Sequence, residues 1–149
     1  MEHDYKNFPE LTNSQLETEG LTSPHKQIME DFDAVCIKVH DGDTITLRTD
    51  FRDFDFPLRF ANIDAKELNA GGDYAREWLK EAIEGEPVEI KINPHNRVEK
   101  YGRLLGEVVS RGINMGDAEM RIGVAVAYGK KLENEIPDAN KIFGLSQWF

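Results

Sequence analysis

The chain has few of the features that stabilise small proteins or direct them to a membrane or a secretory route. Cys36 is the only cysteine among 149 residues, so no disulfide can form within the chain and the compartment need not be oxidising. No apolar run approaches the roughly 20 residues of a membrane helix, and the first residues lack the basic start and apolar stretch of a secretory leader. We therefore expect no membrane partner and no secretion by a recognisable signal. The expected location is the cytoplasm or, if a phage encodes the chain, the host cytoplasm or the virion.

Positive charge is also scarce. Lysine and arginine total 18 against 28 aspartates and glutamates, which gives a net charge of −10. Residues 1–31 alone carry seven acidic side chains against two lysines. Proteins that bind nucleic acid tightly usually present a basic surface, so this balance argues against tight binding. Transient hydrolysis of a nucleic acid stays compatible with it, because a bound cation would neutralise part of an acidic cluster.

The length fits one folded domain with additions at both ends. Residues 1–31 form a polar, acidic N-terminal arm, residues 32–131 the main domain, and residues 132–149 a short C-terminal extension that we expect to pack on that domain. The composition of the arm is typical of a flexible tail. The alternative is a docking arm, which would lie against its own domain or a partner protein.

Hydrophobic periodicity predicts the elements of the main domain. Period-two alternation predicts strands at about 33–40 and 44–48, joined by an Asp-Gly turn, and further strands at 56–63, 88–92 and 104–109. Apolar residues at helical spacing, from Tyr74 through Trp78 to Ile83, predict a helix that Gly85 ends. A second helical stretch runs from about 114 to 128. This order predicts an α+β, mainly β fold: a five-stranded OB-fold barrel with two or three helices.

Charged residues with complementary chemistry stand at the ends of these strands. Asp43 lies in the Asp-Gly turn, and Asp64 and Glu67 follow the third strand. The positively charged residues of the set are Arg59 and Arg103. Carboxylates are hard ligands for a divalent cation, and guanidinium groups match phosphate oxygens, so the set has the parts needed to cut a phosphodiester. Because a closed barrel brings distant strand ends together, we expect these side chains to converge.

One geometric condition follows from the spacing of Arg59 and Asp64. Residues five apart point to opposite faces of a regular strand. The two side chains can share a site only if the chain bends or bulges near residues 62–64. We therefore expect irregular backbone there.

Three motifs together resemble the thermonuclease family, typified by staphylococcal nuclease. They are Asp-Gly-Asp-Thr at 41–44, Leu-Arg at 58–59 leading to Ile-Asp-Ala-Lys-Glu at 63–67, and Lys-Tyr-Gly-Arg at 100–103. The similarity covers about residues 33–129. Each motif alone is weak, since Asp-Gly is common in ordinary hairpin turns; their joint occurrence in this order is what favours a nuclease.

The resemblance implies a role for each matching residue. Calcium would be bound by Asp43, Asp64 and the backbone carbonyl of Ala65. Glu67 would activate or position the attacking water, while Arg59 and Arg103 would hold the phosphate and stabilise its transition state. The residues expected to contact nucleotide phosphates are Lys100, Tyr101 and Tyr128.

The sequence therefore predicts a calcium-dependent nuclease that acts on DNA, with RNA as an open second substrate. By resemblance, it would have little sequence preference and leave 3′-phosphate ends. Two alternatives stay open. One is an OB-fold assembly or docking module with weak or no nuclease activity, whose arm binds a protein partner. The other is a barrel that binds single strands without cutting, which would need exposed aromatics along a basic groove.

Overall fold

The computed structural model describes residues 10–13, 27–65, 72–99 and 102–128. Its elements, in chain order, are β1 (Phe32–Asp41), β2 (Thr44–Arg48), β3 (Phe56–Phe60), β4 (Ile63–Ala65), α1 (Gly72–Ile83), β5 (Pro87–Lys91), β6 (Leu104–Ser110), β7 (Ile113–Asn114), α2 (Met115–Arg121) and β8 (Ala125–Ala127). The predicted positions Glu67, Lys100 and Tyr101, and the extension at 132–149, lie outside the described residues.

Five of these strands close into a barrel. Antiparallel pairing runs in the order β3, β2, β1, β5, β6, and a parallel pairing between β3 and β6 completes the circle. In that last pairing Leu58 stands opposite Leu104 and Phe60 opposite Gly106. Closure removes the free sheet edges that an open sheet would leave. The predicted mainly β OB-fold barrel with accompanying helices is confirmed.

The barrel follows directly from the alternation in the sequence. The side chains of Cys36, Ile45, Leu58 and Ile90 are fully buried inside it. Burial raises the pKa of the Cys36 thiol to about 12, so this cysteine behaves as a small apolar core residue. Helix α1 covers the barrel next to β1 and buries Leu79 and Ile83, whereas Tyr74, which we expected on its apolar face, is half exposed.

Two predicted elements differ from the observed ones. The third strand breaks at residues 61–62 and resumes as β4. The predicted helix at 114–128 is wrong beyond residue 121, because Gly123 adopts a positive φ of 83° and residues 125–127 form β8, which pairs with β4. A three-residue Ala-Val-Ala strand has no periodicity that distinguishes it from a helix turn.

The described residues of the N-terminal arm contact the barrel through Glu10. Its side chain is 1% exposed, accepts a hydrogen bond from Ile28 N at 3.1 Å, and forms ion pairs with Arg52 and with Arg97, the latter at 3.0 Å. Arg97 also donates to Leu11 O at 3.1 Å, and Leu11 is fully buried. This part of the arm therefore belongs to the folded domain. Among the described residues, neither helix has the length and apolar character needed to cross a membrane.

Candidate active site

The turn between β1 and β2 forms one wall of the site. The Oδ1 atom of Asp41 accepts a hydrogen bond from Asp43 N at 3.0 Å, which is the local bond typical of aspartate in turns. The carbonyl of Asp43 accepts from Phe60 N at 2.8 Å, and Thr44 pairs with Arg59 across the ladder between β2 and β3. The turn is thereby held against the end of β3, where the next site residue stands.

The guanidinium of Arg59 spans the break between β3 and β4. Its Nη1 donates to the carbonyls of Phe60 at 2.6 Å and Ile63 at 2.8 Å. Its Nη2 lies 2.5 Å from Asp64 Oδ1 and 3.3 Å from Asp43 Oδ2. The irregular backbone expected near residues 62–64 is present, since the strand is interrupted at residues 61–62. It lets Arg59 and Asp64 meet although they are five residues apart.

Asp43 is a partly buried carboxylate whose surroundings favour the protonated form. Burial and the neighbouring carboxylate of Asp41 raise the pKa of Asp43 to about 6, against the opposing effects of the Ala65 N–H and the Arg59 guanidinium. The Ala65 amide donates to Asp43 Oδ2 at 3.0 Å, which ties the turn to β4. The Ala65 amide and the Arg59 guanidinium therefore compensate only part of the negative charge around Asp43.

Arg103 reaches the same end of the barrel from the start of β6. Its Nη1 donates to Thr44 Oγ1 at 3.1 Å, and its Nε and Nη2 form a bidentate pair with Glu99, the second bond at 3.1 Å. The hydrogen bonds and charge of Glu99, with smaller contributions from Asp43 and Asp41, raise the pKa of Arg103. The structure thus brings Asp43, Asp64, Arg59 and Arg103 together, as the barrel predicted.

Tyr128 lies beside Arg59. The guanidinium carbon of Arg59 is 5.5 Å from the centre of the Tyr128 ring, within the range of a cation–π contact. The Tyr128 amide donates to Asn62 O at 3.0 Å, which fixes the residue after β8 to the break after β3. Tyr128 is 56% exposed and could meet a ligand at the rim of the site. The roles of Glu67, Lys100 and Tyr101 stay predictions.

Sequence reasoning missed Glu119, a glutamate on α2 that is fully buried. Neither carboxylate oxygen has a hydrogen-bond partner among the described residues. Burial, followed by the charges of Asp43 and Asp41, raises the pKa of Glu119 well above its usual range, and only Arg59 opposes this. A signal was available, since Glu119 is four residues after Met115 and three before Ile122, on the helix face where apolar residues are expected.

The chemistry of these donors fits a hard divalent cation. Within the described ranges, no three His, Cys, Asp or Glu side chains are gathered into a ready-made cage. Asp43 and Asp64 nonetheless present carboxylate oxygens around one guanidinium, and the unpartnered oxygens of Glu119 add buried negative charge beside them. Oxygen ligands with an excess of negative charge are what Ca²⁺ and Mg²⁺ prefer.

Comparison with known proteins assigns the family. A family model described as staphylococcal nuclease homologue matches residues 57–145, more than half of the chain. The matched range includes Arg59, Asp64 and Arg103 and begins after the 41–44 turn. A search of curated proteins finds no match. On the strength of the family match and the closed barrel, the chain belongs to the staphylococcal nuclease homologue family.

Proposed function

We propose that this protein is a calcium-dependent nuclease that hydrolyses phosphodiester bonds of DNA, and of RNA as a second substrate. By family resemblance it would have little sequence preference and leave 3′-phosphate ends. The observation that carries the proposal is the convergence of Asp43, Asp64, Arg59 and Arg103 at one end of the barrel. A barrel that only bound a polymer would have no need for acids at that place.

The two arginines would bind the phosphate and stabilise its transition state. Guanidinium groups stay charged at working pH and match phosphate oxygens bidentately. Because charge accumulates on those oxygens during in-line attack, fixed donors stabilise the transition state more than the substrate. The carbonyls of Phe60 and Ile63 hold Nη1 of Arg59 in place. Its Nη2, which pairs with Asp64 and Asp43, would be the atom that turns to the phosphate.

Arg103 is also paired with a carboxylate before substrate binds. Its bidentate partner is Glu99, and a phosphate would compete for the same donors. Its bond to Thr44 Oγ1 leaves the side chain anchored to the 41–44 turn during that exchange. Arg103 would therefore contribute binding and charge together, with Glu99 holding it in position between substrates.

The carboxylates would divide the remaining work. Asp43, Asp64 and the Ala65 carbonyl would hold the cation, which when bound polarises the phosphate and lowers the pKa of a water. Glu67, just after β4, would accept the proton of the attacking water, a role worth about 10²–10⁴ in rate. Tyr128, Lys100 and Tyr101 would contact flanking phosphates.

The test is digestion of plasmid and single-stranded DNA with calcium and with a chelator. We expect Glu67→Gln to lower turnover by about two to four decades, and Arg59→Ala or Arg103→Ala to lower it by at least about two. Matched controls are Glu77→Gln on the exposed face of α1 and Arg111→Ala, whose side chain is 80% exposed. Cleavage that survives the chelator, or that is unchanged by the site variants, would refute the proposal.

A further inference from the structure

Glu119 is a buried polar group that the proposed mechanism leaves unused. It stands in the middle of α2, fully buried, and both of its carboxylate oxygens lack hydrogen-bond partners within the part of the chain that the structure describes. Taking an ionised carboxylate out of water without a partner is energetically costly. A group kept in that condition requires an explanation.

Its position gives one. The Oε1 atom lies directly under the turn between β1 and β2, because a Cβ added at Gly42 would come within 2.7 Å of it. The same added atom would lie 2.6 Å from Ala75 Cβ and 2.7 Å from Ala65 Cβ. The small side chains and the glycine therefore allow the Glu119 carboxylate to approach the turn from inside the protein.

The residues that flank Gly42 are both acidic, and one of them, Asp43, belongs to the site. Asp43 and Asp41 are the charges that act most strongly on Glu119, and both repel it; Arg59 is the one attracting charge that counts appreciably among the described residues. Arg59 is itself committed to Asp64 and Asp43. Among the residues that the structure describes, negative charge therefore exceeds positive charge around Glu119, and oxygen-rich surroundings suit a hard divalent cation.

We propose that Glu119 is a supporting carboxylate of the divalent-cation site, whose negative charge on the interior side of the 41–44 turn strengthens cation binding by the ligands Asp43 and Asp64. This inference rests on the proposed function, since it concerns the same cation. It goes beyond the family resemblance, which implies the two aspartates and the Ala65 carbonyl alone. The alternative is that Glu119 is a neutral glutamic acid that only fills space in the core.

The test is the dependence of thermal unfolding on calcium concentration, measured on the full chain. A ligand that binds only the folded state raises the unfolding temperature according to its concentration over Kd. We expect Glu119→Gln, which keeps the shape and removes the charge, to raise the Kd for calcium by about 10–100-fold, the range for supporting groups of metal sites. Glu77→Gln, whose side chain is 60% exposed, is the control and should leave Kd unchanged.

The outcomes separate this inference from the proposed function. An unchanged calcium Kd in Glu119→Gln, with binding lost in Asp43→Asn, would overturn the inference while leaving the nuclease intact. If Glu119→Gln raises the calcium Kd and the wild-type protein cleaves no DNA, the inference would be supported and the nuclease function refuted. If Glu119→Gln does not fold, Glu119→Leu carries the same expectation. Wild-type protein that calcium does not stabilise would overturn the inference outright.

Discussion

Glu10 and Glu119 are both buried glutamates, and their surroundings are opposite. Glu10 is enclosed by the guanidinium groups of Arg52 and Arg97 and by a backbone amide. Glu119 has no such partner in the described residues and faces two further carboxylates. The first carboxylate has its counter-charges within the protein, and it attaches the arm to the barrel. In the described part of the chain, the surroundings of the second have too little positive charge for their carboxylates, which is a condition typical of functional sites.

The largest expected effect comes from breaking the complete arrangement. Glu10→Gln removes the charge that Glu10 contributes to the buried guanidinium groups of Arg52 and Arg97, so we expect the free energy of unfolding to fall by about 3–5 kcal/mol. Chemical denaturation at constant pH measures it. The control is Asp55→Asn, which removes the partner of Arg48 from an exposed pair and should cost no more than about 1 kcal/mol. Equal effects of the two variants would mean that Glu10 is not a structural anchor.

The second prediction concerns the pH dependence of the metal-free protein. Asp43 has a pKa of about 6 when folded against 3.8 as its ordinary value. The folded state therefore binds more protons between these values, and stability present below about pH 4 is lost as pH rises through 6, on the order of 2–3 kcal/mol. The raised pKa of Glu119 extends the loss to higher pH. In Asp43→Asn this part of the pH profile should flatten, and calcium should restore stability to the wild type near neutral pH. A wild-type profile without this decline would contradict the charge imbalance.

The smallest effect should come from removing the unpartnered carboxylate. Glu119→Leu replaces it with a side chain of similar size among apolar neighbours, so we expect the metal-free protein to gain about 1–3 kcal/mol. Denaturant titration in the presence of a chelator measures the gain. The predicted change in the free energy of unfolding is a gain, whereas Glu10→Gln is expected to cause a loss. A loss comparable to that of Glu10→Gln would show that Glu119 has a structural partner after all.

Much of the barrel was predictable because strand alternation is a local property. The 44–48 strand was predicted at its observed limits, and the bend that joins Arg59 to Asp64 followed from counting residues along a pleated strand. The convergence of Asp43 and Arg103 followed from closure alone. These inferences need only the pattern of neighbouring side chains and the geometry of a closed sheet.

The two buried glutamates were not predictable in the same way. Glu10 is held by arginines 42 and 87 positions further along the chain, and no local pattern connects such residues. Glu119 was visible only as a charge in an apolar helix position, which usually means that the helix has been placed in the wrong register. The short β8 strand stands where the sequence predicted a continuation of α2. It was not predictable because three small apolar residues suit either a helix or a strand.

The central claim is that acids from two strand ends, with Glu119 behind them, hold one divalent cation beside Arg59 and Arg103. The most direct test is calorimetric titration of calcium into the wild-type protein and into Asp43→Asn and Asp64→Asn. The account predicts saturable binding of about one ion per chain in the wild type, lost or greatly weakened in both variants. Absence of saturable binding, or binding that both variants retain, would contradict it.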